Sequence, residues 1–486
     1  MALSLPPFGF WVLAPVGFAG LALALAHPAV GRWLRRRVLV GGAFGLGQYA
    51  IGLWWVTEFH WAGYVALVVL GLAFAALTGV LVRSTSQWAR IASLASAVVL
   101  VEALRGTFPL GGLPLGGTAL GQAAGPLAPG ARIGGSVFVS GLAALAGAGL
   151  AEVAATLRHL RARTSVLRYV SGPVALVLVA GAVLAGRLAP DGAGPGPHVP
   201  VRVAAVQGGG PRGLRSIYVD PEVVFGRQVT ATRTLEPGPD LVLWPEDVLA
   251  VSGPVASTPE AAQVADLARQ LRATLVVGVV EDAGPDHFRN AAVVWAPDGA
   301  IVARYDKVHR VPFGEYVPAR NVFRHLADLT VIPRDEVPGR GPGLVVTPAG
   351  PMGTVISYEV FFDDRARQAI RAGGEVLLVP TNAASFRTSQ VPTQEVAAAR
   401  LRAWETGRDT VQAAPTGYSA IIDHRGRVLA RSVLGRAQTL VGTVERRSGR
   451  TLYVRYGPAP VLVVAVLVLA GCWAVALRRA AGRAAS

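Results

Sequence analysis

Three short strings, Trp244-Pro245-Glu246, Tyr305-Asp306-Lys307 and Ile356-Ser357-Tyr358-Glu359, set an acid, a lysine and a hydroxyl nucleophile in that order within one hydrophilic block. Acyl transfer needs groups of these kinds: a nucleophile, a base to take its proton, and a cation or dipole where the oxyanion develops. Lys307 follows Glu246 by 61 residues and Ser357 follows Lys307 by 50. Such separations put the three on different strand ends, which a rigid sandwich can converge on one pocket. Taken singly each has a plainer use, Glu246 as a turn cap, Lys307 as a solvated cation and Ser357 as a strand serine. The order and the flanking residues carry the chemical reading.

The elements that must hold these groups are largely apolar. The chain has 486 residues, 52% of them hydrophobic and 16% charged, with a net charge of +16 and a mean hydropathy of +0.44. No soluble domain of this length needs so much apolar residue, whereas a bundle of spans of roughly 20 residues each plus one water-soluble domain does. Seven apolar segments stand out, at 8–27, 38–57, 61–82, 91–106, 131–156, 170–186 and 458–477. The excess positive charge is arginine, in short clusters between those segments, a pattern of membrane topology and not of nucleic-acid binding. Arg32, Arg35, Arg36 and Arg37 fill the first connection, Arg83 and Arg90 the third, and Arg158, Arg161, Arg163 and Arg168 the fifth, while Arg478, Arg479 and Arg483 follow the last span. The positive-inside rule makes all four clusters cytoplasmic, so the block 188–457 is expected outside the cytoplasm, with the N-terminus on the same side.

Ala24-Leu25-Ala26 has the small-x-small form of a signal-peptide cleavage site, but no Lys or Arg precedes the apolar run, and an anchor is the favoured reading. Glu102 and Arg105, three residues apart at the end of a span, are placed to pair on one helix face, either as a structural ion pair or as a contact for a lipid headgroup. Cys472, the single cysteine, lies in the last apolar run, so no intramolecular disulfide forms, and no Cys/His cluster offers a zinc site.

The chain therefore divides into a membrane domain of about six helices at 1–187, a Pro/Gly linker at 188–200, a soluble domain at 201–457, a final span at 458–478 and a cytoplasmic tail at 479–486. In the soluble block Val201–Val206, Leu241–Leu243, Thr274–Val280, Ala291–Trp295, Val355–Ile356 and Val376–Val379 read as short strands bounded by turn residues. Pro259–Leu271, Ala366–Ala372 and Thr393–Glu405 read as helices. Strands interleaved with helices imply an α/β layered sandwich around mixed sheets. No internal repeat, glycine-rich phosphate loop or Gly-x-Ser-x-Gly elbow is present.

Glu246 after a strand, Lys307 in Tyr-Asp-Lys, and a nucleophile before Tyr358-Glu359 form a pattern that resembles the nitrilase superfamily, whose members use a Glu-Lys-Cys triad. The run from Tyr305-Asp306-Lys307 through Val311-Pro312-Phe313-Gly314-Glu315-Tyr316-Val317-Pro318 resembles its membrane-bound branch, apolipoprotein N-acyltransferase. So do Val206-Gln207-Gly208, Pro380-Thr381-Asn382, the stretch from Arg400-Leu401-Arg402-Ala403 to Glu405-Thr406-Gly407-Arg408, and Leu5-Pro6-Pro7-Phe8-Gly9. The resemblance spans nearly the whole chain. It implies a polytopic α-helical membrane bundle with an extracytoplasmic αββα, nitrilase-like domain, in a multi-pass protein of the cell membrane. It also implies Glu246 as general base, Lys307 as oxyanion stabiliser and residue 357 as carrier of the acyl group. Glu315 matches a glutamate that supports the lysine, and Tyr358 and Glu359 match the residues after the nucleophile. A buried carboxylate at 359 needs Lys307 or backbone amides as partners. The implied partners are a phospholipid acyl donor, a diacylated apolipoprotein acceptor and membrane lipids, with neither a metal nor an organic cofactor.

The departures from that pattern are as informative. Ser357 stands where the resemblance expects cysteine, and a serine hydroxyl is a far weaker nucleophile without an adjacent base. Ser216 replaces an expected tryptophan, and Ala383 and Ser385 fall within a stretch usually Asn-Asp-Ala-Trp-Phe, which implies a remodelled substrate mouth. Only seven residues precede Phe8, so the chain has either seven spans or an eighth upstream of this start. Four readings of Ser357 stay open: a working serine nucleophile activated by Glu246, an introduced change that traps the acyl form, a non-catalytic paralogue that binds phospholipid or lipoprotein, and a membrane-anchored amidase. Retention of Glu246, Lys307, Glu315 and Glu359 favours the acyltransferase, because buried carboxylates without a task are costly.

Overall fold

The computed structural model describes residues 1–26, 33–159, 170–195, 199–325, 329 and 332–485. Arg32, Arg161, Arg163 and Arg168 of the expected cytoplasmic clusters lie outside the described residues, as does 196–198 of the expected linker. The chain forms two compact units, Met1–Ala189 together with Tyr456–Ser486, and Pro190–Arg455.

The first unit contains α1 (Leu13–Ala26), α2 (Trp33–Gly52), α3 (Trp61–Leu81), α4 (Gln87–Arg105), α5 (Ala131–His159), α6 (Ser171–Leu188) and the C-terminal helix Ala459–Ala485. Five of these, α3 to α6 and the C-terminal helix, are long and apolar enough to cross a membrane, which fits a multi-pass membrane protein. α1 is a shorter apolar helix of 14 residues, about 21 Å long at the α-helical rise. α5 packs against α1, α4 and α6, and α2 lies along α3. The α2–α3 approach is close because Gly41 and Gly79 face the partner backbone, where a methyl group would collide with Ala75 and Arg37.

The second span departs from the expectation. It was to start at 38 with Arg35, Arg36 and Arg37 in the preceding connection, whereas α2 starts at Trp33 and takes the three arginines into its first turns. Arginine is a good helix former, and the guanidinium groups find partners beside the helix. Arg37 donates to the carbonyls of Val82 at 2.5 Å and Gly79 at 3.3 Å and to Ser84 Oγ at 3.0 Å. Arg90 likewise belongs to α4, which Ser86 caps, and its Nε donates to Glu152 on α5 at 2.8 Å. Arg83 stacks on Trp33 and Trp473, and Arg479 donates to the Thr85 carbonyl at 2.9 Å. These arginines thus gather at one end of the helical unit. At the end of α4, Arg105 pairs with Glu102 at 2.6 Å and donates to the carbonyl of Leu115 at 3.0 Å, so this ion pair also ties down the loop that follows.

Among the described residues the second unit has fourteen strands: β1 (Val199–Gln207), β2 (Leu241–Leu243), β3 (Leu249–Val251), β4 (Thr274–Asp282), β5 (His287–Trp295), β6 (Ile301–Asp306), β7 (Asp335–Glu336), β8 (Leu344–Thr347), β9 (Gly350–Thr354), β10 (Val376–Pro380), β11 (Thr410–Ala413), β12 (Ala420–Ile422), β13 (Val428–Arg431) and β14 (Gln438–Arg446). One sheet runs β14-β1-β2-β4-β5-β6, with β3 on β4 and β7 on β5; the other runs β13-β12-β11-β10-β9-β8. Both centres are parallel, β1-β2-β4 in the first and β9-β10-β11 in the second.

Strand alternation builds two cores from one strand. On β1, Val203 and Ala205 join Leu241, Leu243, Ile356, Leu378 and Val411 between the sheets. Ala204 and Val206 face the other way, with Phe225 and Val229 of α7 (Pro221–Thr232) and Val264 and Leu267 of α8 (Pro259–Leu271). After the short α9 (Arg320–Phe323), α10 (Asp363–Arg371) packs against β9 and α11 (Gln390–Thr406) against β11 and β12. The order helix, sheet, sheet, helix is the expected αββα sandwich.

Expected Val355–Ile356 is not a strand. β9 ends at Thr354, and its Gly-Pro-Met-Gly sequence gives no β-branched signal before the last residue. Val355 N–H still donates to the Leu378 carbonyl of β10 at 3.0 Å, and the chain turns away at Ile356, whose N–H goes to the Glu359 carboxylate at 2.9 Å and opens the turn that carries Ser357.

Candidate active site

Glu246, Lys307 and Ser357 each follow the C-terminal end of a strand, β2, β6 and β9 respectively. Parallel strands expose their carboxyl ends together, where loops can bring side chains to one place. Trp244 N–H donates to the Val276 carbonyl at 2.8 Å and anchors the Glu246 loop on β4. That loop passes directly over Gly278, where any Cβ would collide with the Pro245 carbonyl and Glu246 Cα.

Lys307 has no exposed surface, and its Nζ donates to Glu246 Oε1 at 2.8 Å and to Glu315 Oε1. Glu315 is itself held by its second oxygen, which accepts the Val311 N–H at 2.6 Å. Asn290, on β5, joins the two sides. Its carbonyl accepts the Lys307 N–H at 2.9 Å, and its Nδ2 donates to Glu246 Oε1 at 2.8 Å.

Ser357 opens a short helical turn, Ser357–Phe361, with φ of +50°. This left-handed conformation is unfavourable for a residue with a side chain and persists only where surroundings enforce it. The enforcement comes from Glu359, which is fully buried. Its Oε2 accepts the Ile356 N–H at 2.9 Å, and its Oε1 accepts those of Val308 at 2.9 Å and His309 at 3.0 Å. The Tyr305 hydroxyl donates to it at 2.9 Å, and Arg365 supports both, at 2.6 Å to the hydroxyl and 3.5 Å to the carboxylate. Glu359 therefore clamps the lysine segment to the nucleophile turn through backbone amides, while the Lys307 ammonium binds Glu246 and Glu315. Tyr358 packs edge-on against Phe362 at 5.0 Å, and His309 stacks on the same ring at 3.8 Å.

The structure thus brings Glu246, Lys307 and Glu315 into direct contact, sets Ser357 near enough to Glu246 to favour its ionised form, and assigns Glu359 and Tyr358 to the frame of the turn. It adds residues that sequence reasoning missed. Asp247 follows the base with φ of +57° and receives Asn382 Nδ2 at 3.4 Å. Glu336, buried on β7, sits in the same electrostatic cluster. Thr381, just after β10, has its Oγ1 3.4 Å from Ser357 Oγ and 2.6 Å from Glu395 Oε1 of α11. Asn290 had a readable signal, a polar residue directly before the apolar run Ala291–Trp295 of β5. Glu336 had none, since Arg334-Asp335-Glu336 looks like any solvated charge run.

Several carboxyls share one buried cation, which fixes their protonation. Burial works to lower the Lys307 pKa, but Glu246, Glu315 and Glu336 outweigh it and hold the ammonium well above its ordinary value. Burial raises Glu246, with Lys307 offsetting part of the rise and Glu315 adding to it. Burial also lifts Asp247 well above the usual carboxylate range, pushes Glu336 up to about 10 and Glu395 up to about 8. Neither Glu336 carboxyl oxygen has a hydrogen-bond partner among the described residues, and the nearby Glu315 adds to the rise that burial causes. Among the described residues no group of three or more His, Cys, Asp or Glu is disposed to hold a metal ion.

Loops distant in sequence border one another nearby. Gly213 N–H donates to the Ala384 carbonyl at 2.8 Å, and Arg212 Nη2 to those of Phe386 at 2.9 Å and Thr388 at 2.8 Å. The segment of Ser216 is thereby tied to that of Ala383 and Ser385, the positions that depart together from the expected pattern.

Residues 202–452 match the Carbon-nitrogen hydrolase family, which defines the class of the sandwich and its site. Residues 1–149 match the Apolipoprotein N-acyltransferase N-terminal domain. The apolipoprotein N-acyltransferase of Mycolicibacterium smegmatis is 32% identical, over 96% of this chain and 82% of its own. That of Azotobacter vinelandii is 32% identical over 100% of this chain and 94% of its own. A solved nitrilase-superfamily protein, Nit3 of Saccharomyces cerevisiae, is 20% identical over 51% of this chain and 90% of its own, with a TM-score of 0.39. The chain belongs to the apolipoprotein N-acyltransferase family, acyltransferases of the carbon-nitrogen hydrolase superfamily.

Proposed function

We propose that this protein moves a fatty acyl chain from a phospholipid to the amino group of an N-terminal diacylglyceryl-cysteine on a lipoprotein, by way of an ester on Ser357. The observation that carries the reading is the contact of Lys307 with both Glu246 and Glu315 beside a serine held at a positive φ. Membership of the family supplies the reaction class, and the serine supplies what is particular to this chain.

Glu246 takes the Ser357 proton as Oγ attacks the donor's ester carbonyl. Lys307 has three N–H donors, two of them directed to Glu246 and Glu315, and the third serves the oxyanion. The intermediate collapses, the C–O bond to the glycerol breaks, and the leaving oxygen takes the proton from Glu246 as the lyso-lipid departs. The lipoprotein amine then attacks the Ser357 ester and gives a proton to Glu246. The C–Oγ bond breaks, Ser357 regains a proton, and the amide product leaves. A base raised above the usual carboxylate range suits this nucleophile, because a serine hydroxyl needs a stronger base than a thiol does.

Both substrates keep their tails in lipid, which accounts for a carbon-nitrogen hydrolase domain joined to membrane helices. The arginines collected at one end of the helical unit support a cytoplasmic placement of that end, and the catalytic domain is assigned to the extracytoplasmic side. A tag on the N-terminus should then be reachable from outside intact cells. The central test is an N-acylation assay with phospholipid and a diacylglyceryl-cysteinyl peptide. The native protein should add one acyl chain to the peptide amine and Ser357→Ala should not. Equal activity in the two would overturn the reading.

A further inference from the structure

We propose that Thr381 and Glu395 form a hydrogen-bond chain that points the Ser357 hydroxyl proton at Glu246, making both of them positioning residues for acyl transfer. The inference rests on the reading of Ser357 as nucleophile. Its basis is geometric. Thr381 is fully buried and Glu395 nearly so, and Thr381 Oγ1 stands between Glu395 Oε1 at 2.6 Å and Ser357 Oγ at 3.4 Å. Among the described residues Glu395 Oε2 has no hydrogen-bond partner, so the contact with Thr381 is the one polar bond described for this carboxyl. A buried acid held by a single threonine is a costly way to fill space.

A threonine hydroxyl has one proton and can give it in one direction only. When Glu395 carries its proton it donates to Thr381 Oγ1, and the threonine proton is then directed to Ser357 Oγ. The serine oxygen accepts that bond and its own proton is left for Glu246. When Glu395 is ionised the chain reverses. Thr381 donates to the carboxylate and becomes an acceptor, and it competes with Glu246 for the serine proton. The charged groups that act on Glu395 are Glu246, which favours its protonated form, and Lys307, which opposes it. Burial is the largest influence and pushes its pKa up to about 8, so the productive direction holds at neutral pH and is lost above it.

The experiment is single-turnover acylation of the full-length protein by phospholipid vesicles, read as intact mass between pH 6 and pH 9.5. The native rate should fall by about tenfold across pH 8, the effect of one misdirected hydrogen bond. Glu395→Gln keeps a donor at every pH, and its profile should lose that alkaline fall. Thr381→Val should slow acylation by about tenfold at pH 7, and Thr381→Ser should restore most of the rate. An alkaline fall that persists in Glu395→Gln, or a Thr381→Val protein as fast as the native one, overturns the proposal. Acylation that survives in Ser357→Ala would instead overturn the nucleophile reading itself.

Discussion

Two buried glutamates border the Ser357 turn and are treated in opposite ways. Glu359 accepts three backbone N–H groups and a tyrosine hydroxyl, with Arg365 beside it. Among the described residues Glu395 has one threonine hydroxyl as partner and one oxygen with none. A saturated carboxylate fixes geometry, because every change in its surroundings breaks a bond made at full strength in a dry interior. A half-satisfied one can change its proton and reverse a neighbour. The Lys307–Glu359 side of the site is therefore frame, and the Ser357–Thr381–Glu395 side is where adjustment occurs.

Substitutions should separate the two sides. Glu246→Gln removes the base that both sides serve and should lower N-acylation by about 1,000-fold, within the usual range for general-base catalysis, while the protein stays folded in a melting assay. Lys307→Met leaves Glu246 and Glu315 as buried carboxylates without their cation. It should abolish transfer and also destabilise the domain by about 3–5 kcal/mol, as breaking a buried pair does, seen as a drop in Tm. Glu359→Gln presents an amide to backbone donors. It should cost about 1–3 kcal/mol for the orphaned N–H groups and lower activity at every pH alike, whereas an effect confined to alkaline pH would erase the contrast with Glu395.

Glu336→Gln should act with the opposite sign. Its folded-state pKa of about 10 lies above the ordinary carboxylate value. The stability it contributes is full below the unfolded value and is lost as pH rises from there through about 10. The glutamine protein should accordingly gain stability over the native one at pH 8 relative to pH 5, by at least about 1.4 kcal/mol, the equivalent of one pKa unit. Equal Tm differences at the two pH values would mean that Glu336 is not held protonated.

The frame was far more legible than the adjustable side. Leu241–Leu243 and Pro259–Leu271 coincide with β2 and α8, because an apolar run between turn residues and a Thr-Pro helix start are local signals. Glu246, Lys307 and Glu315 were named from their strings, and the structure shows their side chains meeting. β9 was missed because Gly350–Thr354 lacks the residues that mark a strand; its place in the sheet comes from β8 and β10. Arg35, Arg36 and Arg37 were read as connection because charge ends a hydropathy window, although it does not end a helix. Thr381 lies in a recognised string yet its partner Glu395 is 14 residues away in a helix. Nothing in either segment announces that they meet. Asp247, Glu336 and Glu395 are pushed up first by burial, with the charge of Glu246 adding to the rise and Lys307 opposing it, a property of the assembled site that no local pattern encodes.

The most direct measurement is the intact mass of the protein after exposure to phospholipid without any acceptor, followed by peptide mapping. The expected result is a gain of one acyl chain located on Ser357, absent from Ser357→Ala and present on Ser357→Cys. An unmodified native chain beside an acylated Ser357→Cys protein would contradict the account, since it would mean a pocket intact for binding that serine cannot serve as nucleophile.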